Sequence, residues 1–275
     1  MRFLLLFLLF IERPVQAESL RDQIHEWASL CQGAASKQNC DDGDALLFNG
    51  LLCSTGMNDF ACEAVRNSQS SDGRVWRSPR RVLKDTKNSF SRDMSLGVLL
   101  YAVQSKDVAY FSRWRDYTNS IHRLCPDATD NRCQITPRMR RTYVMVEEFL
   151  KHAEVKEQLS DHYDLLISAG MNQPGYTLHL VGVHIYLRFL FGHNGETLQR
   201  AARSLYNRQP KNLFFAYLAN ANSDEVWHQF LDQDPGVMPA RLHQWQFERS
   251  DEEQAWEESM GWDRIFLIDL IDRQL

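Results

Sequence analysis

Four stretches of this chain are apolar on nearly every side of a helix: "ALLFNGLL" (45 to 52), "MSLGVLLYAV" (94 to 103), "LHLVGVHIYLRFLF" (178 to 191) and "RIFLIDLI" (264 to 271). A helix with no polar face has to be surrounded by protein. Between and before these stretches lie segments with one apolar stripe and a charged back. "SLRDQIHEWASL" puts Leu20, Ile24 and Trp27 at i, i+4, i+7 behind Ser19 as a cap, and "DVAYFSRWRDYTNSIHRL" puts Val108, Phe111, Trp114 and Ile121 near one face. "RMRRTYVMVEEFLKH" and "ETLQRAARSLYNR" repeat the pattern. Roughly a dozen helices follow from this reading, joined by short turns carrying Gly, Pro, Asn or Asp, and no stretch holds a sustained strand alternation.

Buried helices alternating with amphipathic ones are what a double ring requires, the inner helices walled in by neighbours and the outer ones covering them. The fold class expected is therefore all-α, an α/α toroid of helical hairpins. Gly50, Gly97 and Gly182 fall inside the buried helices. Each costs about 1 kcal/mol in propensity against Ala, which close contact between helices offsets. A solenoid of stacked pairs competes, but no repeat of fixed length supports it.

The first residues point to export. Arg2 is a positive start, Phe3 to Ile11 is an apolar run, and Val15-Gln16-Ala17 offers the small residues of a cleavage site. The run is too short to span a bilayer, which takes about 20 apolar residues as a helix. Residues 1 to 17 read as a secretory signal and 18 to 275 as one domain, secreted or periplasmic, without a linker, a later transmembrane segment or a low-complexity tract. Six cysteines follow: Cys31, Cys40, Cys53, Cys62, Cys125 and Cys133. An even count in an exported chain favours disulfides, and separations of 9, 9 and 8 favour pairing between sequence neighbours, Cys53 with Cys62 most firmly. Zinc would want tighter Cys spacing or paired histidines, and His179 and His184 stand five apart, off the four-residue spacing of two ligands on one helix face. Removing Arg2, Arg13 and Glu12 from 31 basic and 36 acidic residues leaves 29 and 35, so no chain-wide footprint for nucleic acid is visible.

The starts of the buried helices collect the unusual polar groups. "CDDGD" precedes the first, "SFSRD" the second, "MNQPGYT" a third, and "HQWQFERSDEEQAWEESMGWD" leads into the last. This combination of a leader, alternating helices and acidic or aromatic motifs before inner helices resembles the six-hairpin, or α/α-toroid, glycosidase-like proteins. The resemblance covers most of the chain at the level of hairpin pattern. It implies an active face where inner helices begin, with Asp or Glu as acid and base and aromatic rings stacking on sugars.

The chemistry of the residues leads to the same face. Glycoside hydrolysis needs two carboxylates, one protonated and one ionised. Asp44, Asp93 and Glu248 are the expected catalytic residues. Asp42, Arg92, Trp76, Tyr176, His179, Trp245, Phe247 and Arg249 are the expected substrate contacts, the arginines to hold a neighbouring carboxylate ionised and the rings to stack. Each has a plainer reading. Asp44 sits where an N-cap belongs, Asp93 lies in a first turn where negative charge suits the helix dipole, and the histidines and tryptophans suit a core. The sequence lacks G-x-S-x-G, a P-loop and G-x-G-x-x-G, and "DDGD" lacks EF-hand spacing, so neither a metal nor a cofactor is expected. The expectation is an exported glycoside hydrolase acting on a carbohydrate polymer. A polysaccharide lyase, or a module that only binds a glycan or a protein, stands as the alternative.

Overall fold

The computed structural model describes residues 28–29, 31–36, 40–85, 90–156, 159–171, 175–210, 212–221 and 262–272. Among them ten α-helices follow one another: α1 (Ala45–Ser54), α2 (Asp59–Arg66), α3 (Arg92–Ser105), α4 (Val108–Ile121), α5 (Pro137–Leu150), α6 (Leu159–Gly170), α7 (Gly175–Leu190), α8 (Glu196–Arg208), α9 (Leu213–Leu218) and α10 (Trp262–Asp272). Two short 3-10 turns, Pro79–Arg81 and Asn131–Cys133, interrupt the longer connections. The described residues hold no sheet; an isolated antiparallel bridge joins Gln69 to Val75. The chain is all-α.

The all-round apolar segments are the buried ones. Every residue of α1 is buried, as are Met94 to Val103 of α3 and Val181 to Arg188 of α7. The most extensive packing joins α1 to α3, and α3 also meets α2, α4, α5 and α7, while α10 lies on α1 and α9. Glycine permits the central crossing. A methyl group on Gly50 would fall on the Gly97 backbone, and one on Gly97 would fall on the Leu46 carbonyl, so α1 and α3 touch backbone to backbone. At Gly182 a methyl group would meet the rings of Phe215 and Phe214 at 2.9 and 3.1 Å, which seats α9 against α7.

The amphipathic segments cover this centre. Asp107 caps α4 by accepting from the Tyr110 N–H at 2.9 Å. That start places Val108 on the outer face, 46% exposed, and turns Tyr110, Phe111, Trp114 and Thr118 inward. The expected stripe of Val108, Phe111, Trp114 and Ile121 is thus shifted: the cap sets the register, and Tyr110 takes the inward place. Thr136 caps α5 and Asn212 caps α9 in the same way. Two buried links tie the segment before α1 to the core. Asn49 exchanges two hydrogen bonds of 2.9 Å with the Ala35 backbone, and the Trp262 indole donates to the Ser36 carbonyl at 3.1 Å. α10 opens at Trp262 with Asp263 in its first turn.

All six cysteines pair as their spacing indicated: Cys31 with Cys40, Cys53 with Cys62, and Cys125 with Cys133. Three disulfides fit an oxidising compartment. No helix among the described residues is long and apolar enough to cross a membrane. Residues 1 to 17, read as the leader, and the helix expected around Leu20, Ile24 and Trp27 lie outside the described residues.

Candidate functional site: the shared mouth of α1 and α3

The glycine crossing fixes where two carboxylates stand. Asp44 and Asp93 each lie roughly one to two helical turns before the touching glycines, and the charge of Asp44 reaches Asp93. Asp44 takes the N-cap position but does not cap. Its backbone is left-handed at φ 57°, a conformation aspartate tolerates better than most residues, and its side chain accepts no capping bond from α1. Asp44 therefore starts α1 through its backbone carbonyl, which accepts from the Leu47 and Phe48 N–H groups, and not through its side chain.

The neighbouring acids have other tasks. The Asp41 carboxylate accepts from the Gly43 N–H at 2.9 Å and closes the turn. Asp42, expected at the substrate, is buried at 1% exposure. One of its oxygens pairs with Arg80, the other with Arg81 Nε at 2.7 Å, and Arg80 also donates to the Cys40 carbonyl. Asp42 is a tie beneath the mouth, holding the 3-10 turn Pro79–Arg81 against the disulfide-bonded segment that precedes α1.

Asp93 has a different environment. No other side chain among the described residues gives its carboxylate a hydrogen bond. Burial first, and the negative charge of Asp44 second, push its carboxyl up to about 6, against the pull of Arg92, its own backbone N–H and Arg132. Arg92 opens α3 and is exposed. Ser91, the residue before it, is buried, does not cap α3, and its hydroxyl has no hydrogen-bond partner. A serine at an N-cap reads from sequence as a helix start, and nothing in the spacing marked it as a hydroxyl left over beside the acid pair.

Arg132 was also missed. It lies in the 3-10 turn Asn131–Cys133, far from α1 and α3 in sequence, and its guanidinium is gripped by Asp130 through Nε to both oxygens at 3.1 Å and Nη2 at 2.8 Å. The charges of Asp44 and Asp93 both reach it. The only sequence signal for Arg132 was its place beside Cys133.

The aromatic and histidine expectations fare differently. Trp76 is buried, its indole N–H bound to Ser70 Oγ at 2.9 Å and its ring covered by the Arg74 guanidinium 3.6 Å from the centroid. A sugar has no open face of Trp76 to stack on, so that expected contact is corrected to a core residue under a cation–π lid. His179 is buried with its ring 5.9 Å from that of Phe214. Burial pushes its imidazole down to about 3, so it is a neutral core ring rather than a substrate contact. Tyr176 falls in the first turn of α7, its side chain outside the described residues, and Trp245, Phe247, Glu248 and Arg249 lie outside them entirely.

No protein-family model, curated protein or solved structure matches the chain. Among the described residues no group of three or more His, Cys, Asp or Glu is arranged to hold a metal ion. The mouth is an acid pair with unequal environments, flanked by two arginines and a buried hydroxyl. Such a pair can give a proton from one member and keep negative charge on the other.

Proposed function

We propose that this chain is an exported glycoside hydrolase of toroidal architecture, acting on a carbohydrate polymer through Asp93 and Asp44. The observation that carries the reading is the environment of Asp93, a half-buried carboxyl raised to about 6 by burial first and by the charge of Asp44 second. A general acid works best when it titrates near the operating pH. In this reading Asp93 gives its proton to the glycosidic oxygen as the C–O bond breaks. Asp44 stabilises the positive character that develops at the anomeric carbon and receives the proton of the water that completes the reaction. The expected leader and the three disulfides support export, and the alternation of buried and covering helices supports the double ring.

A panel of cell-wall and extracellular polysaccharides tests the proposal, with new reducing ends as the readout. Asp93→Asn and Asp44→Asn should each lower turnover at least roughly a hundredfold with the fold intact. Full activity in both variants removes the acid pair from the mechanism. A product with ultraviolet absorbance from a new double bond would replace hydrolysis by elimination.

A further inference from the structure

The connection between α2 and α3 carries an apolar side chain where the backbone least accommodates one. Arg81 to Lys84 has the geometry of a type II β-turn, closed by a hydrogen bond from the Lys84 N–H to the Arg81 carbonyl at 3.0 Å, with Val82 at φ −56° and ψ 122° and Leu83 at φ 59°. The third position of such a turn is left-handed and favours Gly or Asn, because a larger side chain there crowds the backbone. Leu83 fills it and gains nothing from burial. At 77% it is the most exposed large apolar residue among the described ones. A leucine on a surface is ordinary. One that is strained as well as exposed is not, since neither the turn nor the core accounts for it.

The turn is firmly based and positively charged. Ser78 is buried, the Arg81 N–H bonds to the Ser78 carbonyl at 3.1 Å, and Arg80 and Arg81 both pair with the buried Asp42. A longer pair joins Arg81 to Asp85 at 3.4 Å. From Arg77 to Asp85 the chain sets Arg77, Arg80, Arg81 and Lys84 against Asp85. With Asp42 counted in, four cations face two carboxylates, so the turn is positive in a chain whose formal net charge is −5. Lys84, directly beside Leu83, is exposed.

We propose that the turn Arg81–Lys84 is a membrane-contact point that seats on an anionic lipid surface, with Leu83 entering the headgroup boundary and Lys84 and the neighbouring arginines facing lipid phosphates. The pairing of an aliphatic tip with cations selects among anionic partners. An acidic glycan or a nucleic acid would engage the cations but offers an aliphatic side chain nothing to enter, since stacking needs rings. A protein partner needs a shaped patch of roughly 800 Å² on each side, which one projecting leucine does not present. A bilayer interface accepts a single apolar side chain among cations with no shape to match, and removing Leu83 from water there offsets the strain of its backbone.

Flotation of the oxidised chain, purified after export, with vesicles of phosphatidylcholine alone and of phosphatidylcholine mixed with phosphatidylglycerol tests this. The chain should float with the mixed vesicles and not with the neutral ones, and added salt should release it. Leu83→Asn, which suits the left-handed turn, should melt no lower than the parent and bind the mixed vesicles roughly fivefold more weakly. Lys84→Gln should weaken binding by a similar factor of roughly five. All variants share the rest of the chain, so their differences isolate the turn. Equal flotation with both kinds of vesicle, or none with either, overturns the proposal. Binding to the mixed vesicles that Leu83→Asn leaves unchanged does so too. Retention on immobilised dextran sulfate that depends on Lys84 but not on Leu83, without flotation, would replace the membrane by a soluble polyanion.

Discussion

Helix α1 has a carboxylate at each end, and the two ends are built in opposite ways. Past its C-terminus, Asp269 of α10 is fully buried and receives Asn58 Nδ2 at 2.6 Å and Thr55 Oγ1 at 3.3 Å. At its N-terminus, the charge of Asp44 acts on Asp93, and Asp93 receives no hydrogen bond from another side chain among the described residues. The far end follows the usual rule that a buried charge is supplied with donors. At the mouth the half-buried Asp93 has no such donors among the described side chains, and burial first and the charge of Asp44 second raise it to about 6. A carboxylate given donors joins α10 to the turn after α1; one denied them is left ready to hold a proton. Asp42, clasped by Arg80 and Arg81 beneath the same mouth, belongs with Asp269 despite standing next to Asp44 in the motif.

Changes at the two ends should therefore have opposite signs. The largest effect is expected where the mouth is assembled. Gly97→Ala pushes α1 from α3 and should cost about 3 kcal/mol or more in stability by chemical denaturation. In whatever fraction folds, Asp44 is displaced from Asp93 and the Asp93 midpoint drops. Asp269→Ala comes next, with a loss of about 1 to 3 kcal/mol as Asn58 Nδ2 loses its shortest hydrogen bond. An Asp269→Ala protein as stable as the parent would break the contrast drawn here.

Asp93→Asn should do the reverse. Its folded carboxyl sits near 6 against about 3.9 in an unfolded chain, so the native state binds the proton more tightly and stability declines as pH rises from about 4 through 6. Removing the charge should leave stability near pH 4 almost unchanged and raise it by about 1 to 3 kcal/mol at pH 8. If Asp93 merely served the helix dipole, the same substitution would cost about 0.3 to 1 kcal/mol at pH 8. Thermal unfolding at the two pH values separates the cases by sign. Ser91→Ala is the smallest change expected. Its hydroxyl has no hydrogen-bond partner among the described residues, so stability should stay within about 0.5 kcal/mol, and a larger loss would show Ser91 to be an ordinary helix start.

The centre of the fold was legible because it is written in local terms. "ALLFNGLL" and "MSLGVLLYAV" have no polar side, which leaves no place for α1 and α3 except inside, and their glycines foretold a close crossing. The cysteine spacing was legible for the same reason, since each bridge closes a short loop. The register of α4 was not, because Asp107 decides it by one hydrogen bond that apolar periodicity does not record. At the mouth, "DDGD" displayed three acids of one kind, and only the fold separates them: Asp41 to a turn, Asp42 to two arginines, Asp44 to the opening. Trp76 misled because an aromatic ring beside arginines reads as a stacking surface, while here the arginine lies on the ring itself. Arg132 could not be read at all, since the contact that brings it to α3 runs from Cys133 to Phe90 across a separation of 43 residues.

The three disulfides also bear on the order of events during synthesis. Each joins cysteines 8 or 9 residues apart, and the last of the six is Cys133. Closing so short a loop takes well under a microsecond of chain diffusion, whereas the chain is extended at about 5 to 20 residues per second. All six cysteines, each with its native partner as nearest neighbour, have therefore been synthesised many seconds before α10. Shuffling has little to act on once the long-range packing begins, and the second half of the chain, which carries no cysteine, condenses onto a half already stapled.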